Sequence, residues 1–379
     1  MKENLLAPVG TGAALQFFLQ FRVVVKMKEN EFIPKEMSAN QRRIFIDTAQ
    51  LYEAYIVTLR ESRSYRGGMH WKKSKGRQYL FRQRDRLGYG KSLGPRTPET
   101  EKIYADFKLA KQKVQERLAS FKERLKEQAR FCKAATIQRV PRIVTGILRV
   151  LDQYRLLGKN IVVIGTNAIY AYEAAAGVFV DSPILATRDM DILWDIRSRL
   201  RLAAGDDDKG SATTGIIDIL CKADRSFERV KSQGFRAINK DGYMVDLVKP
   251  EPKPIIKKER QRMGGDTDLK AVEIRNLQWL VSSPKFSQIV VGDDGYPAAM
   301  FCPDPRSFAL HKIWLSEQPD RDPIKKKRDR HQGIAVAYLV SRYLLQHKFT
   351  ASELRMFPKR VLDAARAEIS NLEAPAGFD

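Results

Sequence analysis

Residues 189–194 read Asp189-Met190-Asp191-Ile192-Leu193-Trp194, and the fold is decided by how this hexapeptide is read. Two aspartates at i and i+2 of an extended segment project from the same face. Carboxylates this close repel each other unless cations lie between them, and hard oxygen ligands of this kind suit Mg²⁺. The bland alternative is a surface strand with two solvated acids. The apolar run of Met190, Ile192, Leu193 and Trp194 argues against it and for a buried strand.

Upstream, Ile161-Val162-Val163-Ile164 is a short apolar run between Asn160 and Gly165, which reads as another buried strand. It runs through Gly165 and Thr166 into an alanine-rich helix, Ala168 to Ala176, that stops at Gly177. Such a junction aims backbone N–H groups at one point, where phosphate can bind. Many turns of this kind are only structural. This one has neither the G-x-G-x-x-G of dinucleotide folds nor the G-K-[ST] of P-loops.

Downstream, Phe235–Asn239 and Tyr243–Val248 flank Lys240-Asp241-Gly242, a hairpin signal. The second arm carries Val245-Asp246-Leu247-Val248, a lone acid in an apolar strand, and its expected sheet neighbour is the 189–194 strand. A third carboxylate beside the first two would complete a site for two metal ions. Asp218, in Ile217-Asp218-Ile219, is the rival. Residues 216–230 read as helix, however, so Asp246 is preferred.

Strand-Gly-Thr, then Asp-Met-Asp-Ile, then Val-Asp-Leu, in that order, resembles the polymerase-β-like nucleotidyltransferase superfamily. Within it, the chain looks most like bacterial nucleotidyltransferase-like proteins. The resemblance covers about residues 159–250. It implies an α+β fold with a small mixed nucleotidyltransferase sheet flanked by helices, a helical and basic N-terminal region, and a helical C-terminal domain. It also implies that a nucleoside monophosphate passes from NTP to a hydroxyl acceptor with release of pyrophosphate. Gly165 and Thr166 would hold the triphosphate, Asp189 and Asp191 would bind both metals, and Asp246 the catalytic one. The cofactor would be Mg²⁺, with Mn²⁺ as the alternative ion. Two departures stand out. Thr166 replaces the usual glycine or serine, and the gap from Thr166 to Asp189 is long, which an insertion around Gly177–Leu185 would explain.

Beyond that core, Arg306, His311, Lys312, Arg321, Lys325, Arg328 and Asp329 lie on helical or near-helical segments. The resemblance makes Lys312 and Lys325 triphosphate candidates; the alternative is a solvated basic face. His311, beside Phe308 and Ile313, reads as packing. Helices are expected over Ser38–Arg63 with Ser38 as N-cap, from Thr97-Pro98 to about Lys133, over Pro141–Leu157, and after Pro305 at 307–316, 332–345 and 351–369. A second hairpin is expected at Gln288–Val291 and Pro297–Phe301, and a mobile loop over Arg199–Thr214.

The stretch Arg60–Arg96 holds twelve Lys or Arg against two acids, with Tyr65, Trp71, Tyr79, Phe81 and Tyr89 among them. A hairpin over His70–Lys72 and Gln78–Arg82 fits this part. Cations would neutralise backbone phosphates and aromatic rings could stack on unpaired bases. The nucleic-acid contacts expected are Arg66, Trp71, Lys72, Lys73, Arg77 and Arg82. A basic cap packed on the catalytic domain is the alternative.

With 379 residues and 43% apolar content, the chain can bury a sizeable core. The domain boundaries expected are 1–36 (poorly ordered or dispensable, with Met27 and Met37 as alternative starts), 37–140 (basic region with a hairpin and a long helix), 141–255 (catalytic) and 256–379 (mainly helical, with a small hairpin). A net charge of +23 favours polyanionic partners. RNA, especially tRNA, is the preferred acceptor, with a protein or small molecule as the alternatives. No apolar run reaches membrane-spanning length. Cys132, Cys221 and Cys302 have no metal-type spacing, and their odd number argues against a disulfide framework. A cytoplasmic setting fits. Two non-enzymatic readings compete: a nucleic-acid-binding protein on the same fold without catalysis, and a sensor that binds NTP without turnover.

Overall fold

The computed structural model describes residues 32–84, 88–197, 215–252, 260–350 and 352–373. The chain divides after Pro34, and the unit Lys35–Asp379 carries everything that follows. The segment 1–31, the 199–214 loop and the end of the proline-rich 250–254 stretch lie outside the described residues.

After the two-residue strand β1 (Lys35–Glu36), Ser38 opens helix α1 (Ala39–Ser62). Its hydroxyl accepts from the Gln41 N–H while Gln41 reaches back to the Ser38 N–H, so two end donors are satisfied together. Strands β2 (Gly68–Ser74), β3 (Arg77–Gln83) and β4 (Gly90–Pro95) form an antiparallel three-stranded sheet. The third strand exceeds the hairpin expected from sequence. Thr97 caps helix α2 (Pro98–Ala134), with proline in its first turn. Helices α1 and α2 pack as a pair: Leu51 and Tyr52 bury against Leu125.

The central sheet begins after helix α3 (Arg142–Gln153) with strand β5 (Ile161–Ile164). Helix α4 (Ile169–Ala176), strand β6 (Val178–Phe179) and the short helix α5 (Ser182–Leu185) lead to β7 (Asp189–Trp194). The extra residues between Thr166 and Asp189 therefore have a structural role, because β6 pairs with β1. Helix α6 (Ile216–Ala223) is shorter than the periodicity suggests. Asp224 ends it by turning its carboxylate onto the Ser226 N–H and hydroxyl, and strand β8 (Glu228–Arg229) follows. Strands β9 (Arg236–Ile238) and β10 (Met244–Pro250) are the expected hairpin. The sheet order is β5-β7-β10-β9-β8, and β11 (Val272–Ile274) pairs with the far end of β10. β7 and β10 run parallel, while β5 and β9 run antiparallel to their neighbours.

Helix α7 (Gln278–Ser282) and the hairpin β12 (Lys285–Val291) and β13 (Pro297–Pro303) follow. One core cluster mixes both halves of the chain: Val162, Ile164, Leu193 and Val248 pack on Leu277, Leu280 and Val281. Helices α8 (Pro305–Ser316) and α9 (Pro323–Tyr343) then pair closely. A methyl group at Gly333 would come within 2.8 Å of Ile313, so glycine sets the approach of these two helices. α9 starts nine residues earlier than the sequence pattern marks, because Asp322 and Pro323 supply a cap and a preset first turn. The last helix, α10 (Lys359–Glu373), starts later than residue 351, since Pro358 fixes its entry. The result is the expected α+β architecture. Among the described residues, no helix is long and apolar enough to cross a membrane.

Candidate active site

Strand register brings the carboxylates together. On the parallel pair β7/β10, Asp191 lies directly opposite Asp246, and on the other side of β7 it lies opposite Ile164. Asp189 precedes Asp191 by two residues, so all three acids gather at one place on the sheet. The rival, Asp218, is exposed on α6, where its carboxylate accepts from the Gly215 N–H and caps the helix.

Gly165 follows β5 with φ of +66°, and a methyl group there would lie 2.3 Å from a carboxylate oxygen of Asp191. Glycine is required twice over, by the left-handed backbone and by the acid pressed against it. Thr166 is buried, and its hydroxyl accepts a 3.0 Å hydrogen bond from Gln332 on α9. The same amide also donates to the carbonyl of Ile184, 2.9 Å away. Asn167 donates to the backbone carbonyl of Asp189 at 2.7 Å, and the Thr187 hydroxyl donates to the Asp189 carboxylate.

Electrostatics single out Asp191. Burial first, then the neighbouring Asp189 and Asp246, push its carboxyl up to about 6. Asp246 has an answer of its own: Arg236 on β9 grips both its oxygens at 2.7 and 2.6 Å. That bond raises the already high guanidinium pKa further, and Asp189 and Asp191 add to the effect. Sequence reasoning passed over Arg236, although the hairpin would have found it. Counting back from the Lys240-Asp241-Gly242 turn puts residue 236 across from 246.

The hard-oxygen donor set of Asp189, Asp191 and Asp246 fits a divalent ion in chemistry and in mutual repulsion. As they stand, among the described residues, no three acidic, His or Cys side chains are arranged to hold a metal. Arg236 closes the third corner.

Lys312 is buried on α8 and donates to Asp329 at 2.7 Å. Burial lowers its pKa, and Asp329 followed by Asp191 hold it up. Lys312 therefore feels the charge of Asp191 while bonded to Asp329. Arg321 also pairs with Asp329, at 2.7 Å. Lys325 is exposed on the first turn of α9, where its backbone N–H is capped by Asp322. Beside that turn lies a cleft of about 500 Å³ lined by Pro183, Ile184, Ile324 and Arg328, among others. His311 is packing: it lies against Trp279 and Trp314, and burial drives its pKa down to about 3.

The residues expected to meet nucleic acid divide into two sets. Arg82 donates to the carbonyls of Ser64, Arg66, Gly68 and Gln83 and stacks 4.4 Å from the Phe107 ring. Its two terminal nitrogens are engaged with backbone carbonyls of the 64–68 segment and of β3 and its guanidinium covers a ring of α2, so it acts as a structural staple. Trp71 likewise faces inward, against Tyr104 and under the guanidinium of Arg96. Arg66, Lys72, Lys73 and Arg77 remain exposed.

A family model described as nucleotidyltransferase matches residues 142–357. The match spans β5, β7, β10, α8 and α9, and so takes in Gly165, the three aspartates and Lys312. No curated protein matches the chain, and no solved structure does.

Proposed function

From the premise that this chain belongs to the nucleotidyltransferase family, we propose that it transfers a nucleoside monophosphate from NTP to a hydroxyl on a nucleic-acid acceptor, with RNA preferred, and releases pyrophosphate. One observation carries the reading: Asp191 and Asp246 face each other across two parallel strands, with Asp189 two residues ahead and Gly165 pressed against Asp191.

Asp189 and Asp191 would hold divalent metal, with Asp246 joining once Arg236 releases it. Mg²⁺, or Mn²⁺, held there would polarise the attacking hydroxyl and neutralise the leaving pyrophosphate. The narrow turn at Gly165 lets triphosphate oxygens approach the backbone, and the Thr166 hydroxyl, oriented by Gln332, would donate to one of them. Lys312 would add positive charge close to the transferred phosphoryl group. Lys325 would meet the outer phosphates or the base near the cleft of Pro183 and Ile324. The attacking hydroxyl loses its proton to water as its oxygen bonds to the α-phosphorus, and the bond from that phosphorus to the bridging oxygen of pyrophosphate breaks.

The direct test supplies each α-labelled NTP with Mg²⁺ and total cell RNA, then locates the label. Label entering RNA with the wild type and lost with Asp189→Ala and Asp191→Ala supports the reading. Full transfer by both variants overturns it.

The grip of Arg236 on Asp246 favours a second reading, a nucleic-acid- or nucleotide-binding protein without turnover. Mn²⁺ titration followed by electron paramagnetic resonance separates the two. An enzyme with a displaceable latch binds Mn²⁺ through Asp189 and Asp191, and binds it more tightly in Arg236→Ala. A non-catalytic protein shows no binding that depends on the aspartates in either form.

A further inference from the structure

The three-stranded sheet β2–β4 has two unlike faces, and the second has no use in the reaction described above. Its inner face carries Trp71, Leu80 and Arg82 onto α2. Side chains alternate along a strand, so Tyr79 and Phe81 on the central strand β3 point the other way. They stand two residues apart, about 6.7 Å along the strand. Register sets Lys72 across from Tyr79 and His70 across from Phe81. The His70 and Phe81 rings are 5.5 Å apart, and the Lys72 ammonium is 5.5 Å from the Phe81 centroid. These contacts put His70, Lys72 and Phe81 on one face, and strand alternation adds Tyr79 to it. His70 and Lys72 are exposed, and the two rings are half-buried.

At the tip of the β2–β3 hairpin, Lys73, Lys75 and Arg77 are exposed. None of the three has an ion-pair partner among the described residues. The hairpin from Gly68 to Gln83 contains no acidic residue at all.

We propose that the outer face of this sheet is a binding platform for single-stranded nucleic acid, with bases stacking on Tyr79 and Phe81 and with Lys72, Arg77 and the hairpin tip holding the backbone phosphates. A sheet whose aromatic side chains stack successive bases is a recurrent way of holding a single strand. Charge complementarity chooses the occupant: flat rings set among unpaired cations suit a polyanion that also has π faces. An acidic polypeptide would meet the cations and leave the rings unused. Lys72 can exchange the ring for a phosphate because it is exposed. The inference rests on the reading of a nucleic-acid acceptor and locates that acceptor's single-stranded part.

The test uses the full chain and fluorescence anisotropy of 5′-fluorescein-labelled rU12 and dT12, without NTP. The wild type binds, and affinity falls as salt rises. Tyr79→Ala with Phe81→Ala weakens binding at least about tenfold, while Tyr79→Phe with Phe81→Tyr retains it. Lys72→Ala with Arg77→Ala, both exposed, flattens the salt dependence. Tighter binding of rU12 assigns RNA; equal binding assigns a single strand of either sugar. Wild-type affinity in the double-alanine variant overturns the proposal, as does displacement of rU12 by poly-glutamate as readily as by unlabelled rU12. Asp189→Ala with Asp191→Ala is run beside these. Ring-dependent binding without nucleotide transfer leaves the platform standing and removes the enzymatic reading. Transfer to RNA without ring-dependent binding does the reverse.

Discussion

Gly165 and Asp191 are in direct contact, and each limits what the other can be. Replacing Gly165 by alanine puts a methyl group 2.3 Å from an Asp191 oxygen and adds roughly 1–3 kcal/mol of backbone strain, because φ +66° with ψ −158° is a conformation essentially reserved for glycine. The carboxylate must move, so Gly165→Ala should lower transfer by at least about tenfold, measured as labelled product per minute, with the fold intact by circular dichroism. Asp191 itself costs stability once it is ionised. Its folded pKa, about 6, lies above its ordinary 3.8. Between these values the folded state holds more proton than the unfolded one, so this group's contribution to stability falls as pH rises through the window and is lost above it. The cost at pH 8 without metal is about 1–3 kcal/mol. Asp191→Asn should therefore melt above the wild type at pH 8 in EDTA and converge with it near pH 4. Equal melting temperatures at pH 8 would contradict the burial argument.

At the scale of elements, α8 and α9 are bound by one buried acid. Asp329 is fully buried and holds Lys312 and Arg321 together. Removing one partner of a buried pair leaves uncompensated charge and costs about 3–5 kcal/mol. Asp329→Ala should thus shift the urea midpoint strongly downward. It should also loosen Lys312, whose charge acts on Asp191, and Gln332, three residues along the same helix, which donates to Thr166. A variant with unchanged stability and unchanged transfer would show that the two helices do not steady the site. The sheet β2–β4 illustrates the same scale. Its pleat turns Trp71 and Arg82 inward and Tyr79 and Phe81 outward, and composition alone could not sort them.

At the scale of the whole molecule, the net charge is +23, and the hairpin of residues 68–83 contributes five Lys or Arg to it with no acid to offset them. Polyanion binding should therefore weaken steeply with salt, by a factor of roughly 10³ or more between 50 and 200 mM if six or more phosphates are neutralised. Anisotropy across that range measures the slope. A flat response would argue that the surplus charge serves solubility alone.

Much of this was legible beforehand, and the reasons are local. Alternation at Asp189-Met190-Asp191, the apolar run at 161–164 and the Lys240-Asp241-Gly242 turn each dictate their own few residues of backbone. Caps at Ser38 and Thr97 do the same for the long helices. Even the pairing of Arg236 with Asp246 was within reach, because a hairpin turn fixes its own register. Where a local signal misled, as in extending α6 to residue 230, a side chain had an alternative: Asp224 bonded the turn rather than continuing the helix. Only the tertiary structure decided that β7 and β10 lie parallel with Asp191 opposite Asp246, that Lys312 faces Asp329, and that Gln332 holds Thr166. Those pairings join segments far apart along the chain. No local rule sets their register; it follows from how the whole core packs, and burial in that core is what gives Asp191 and Lys312 their shifted proton affinities.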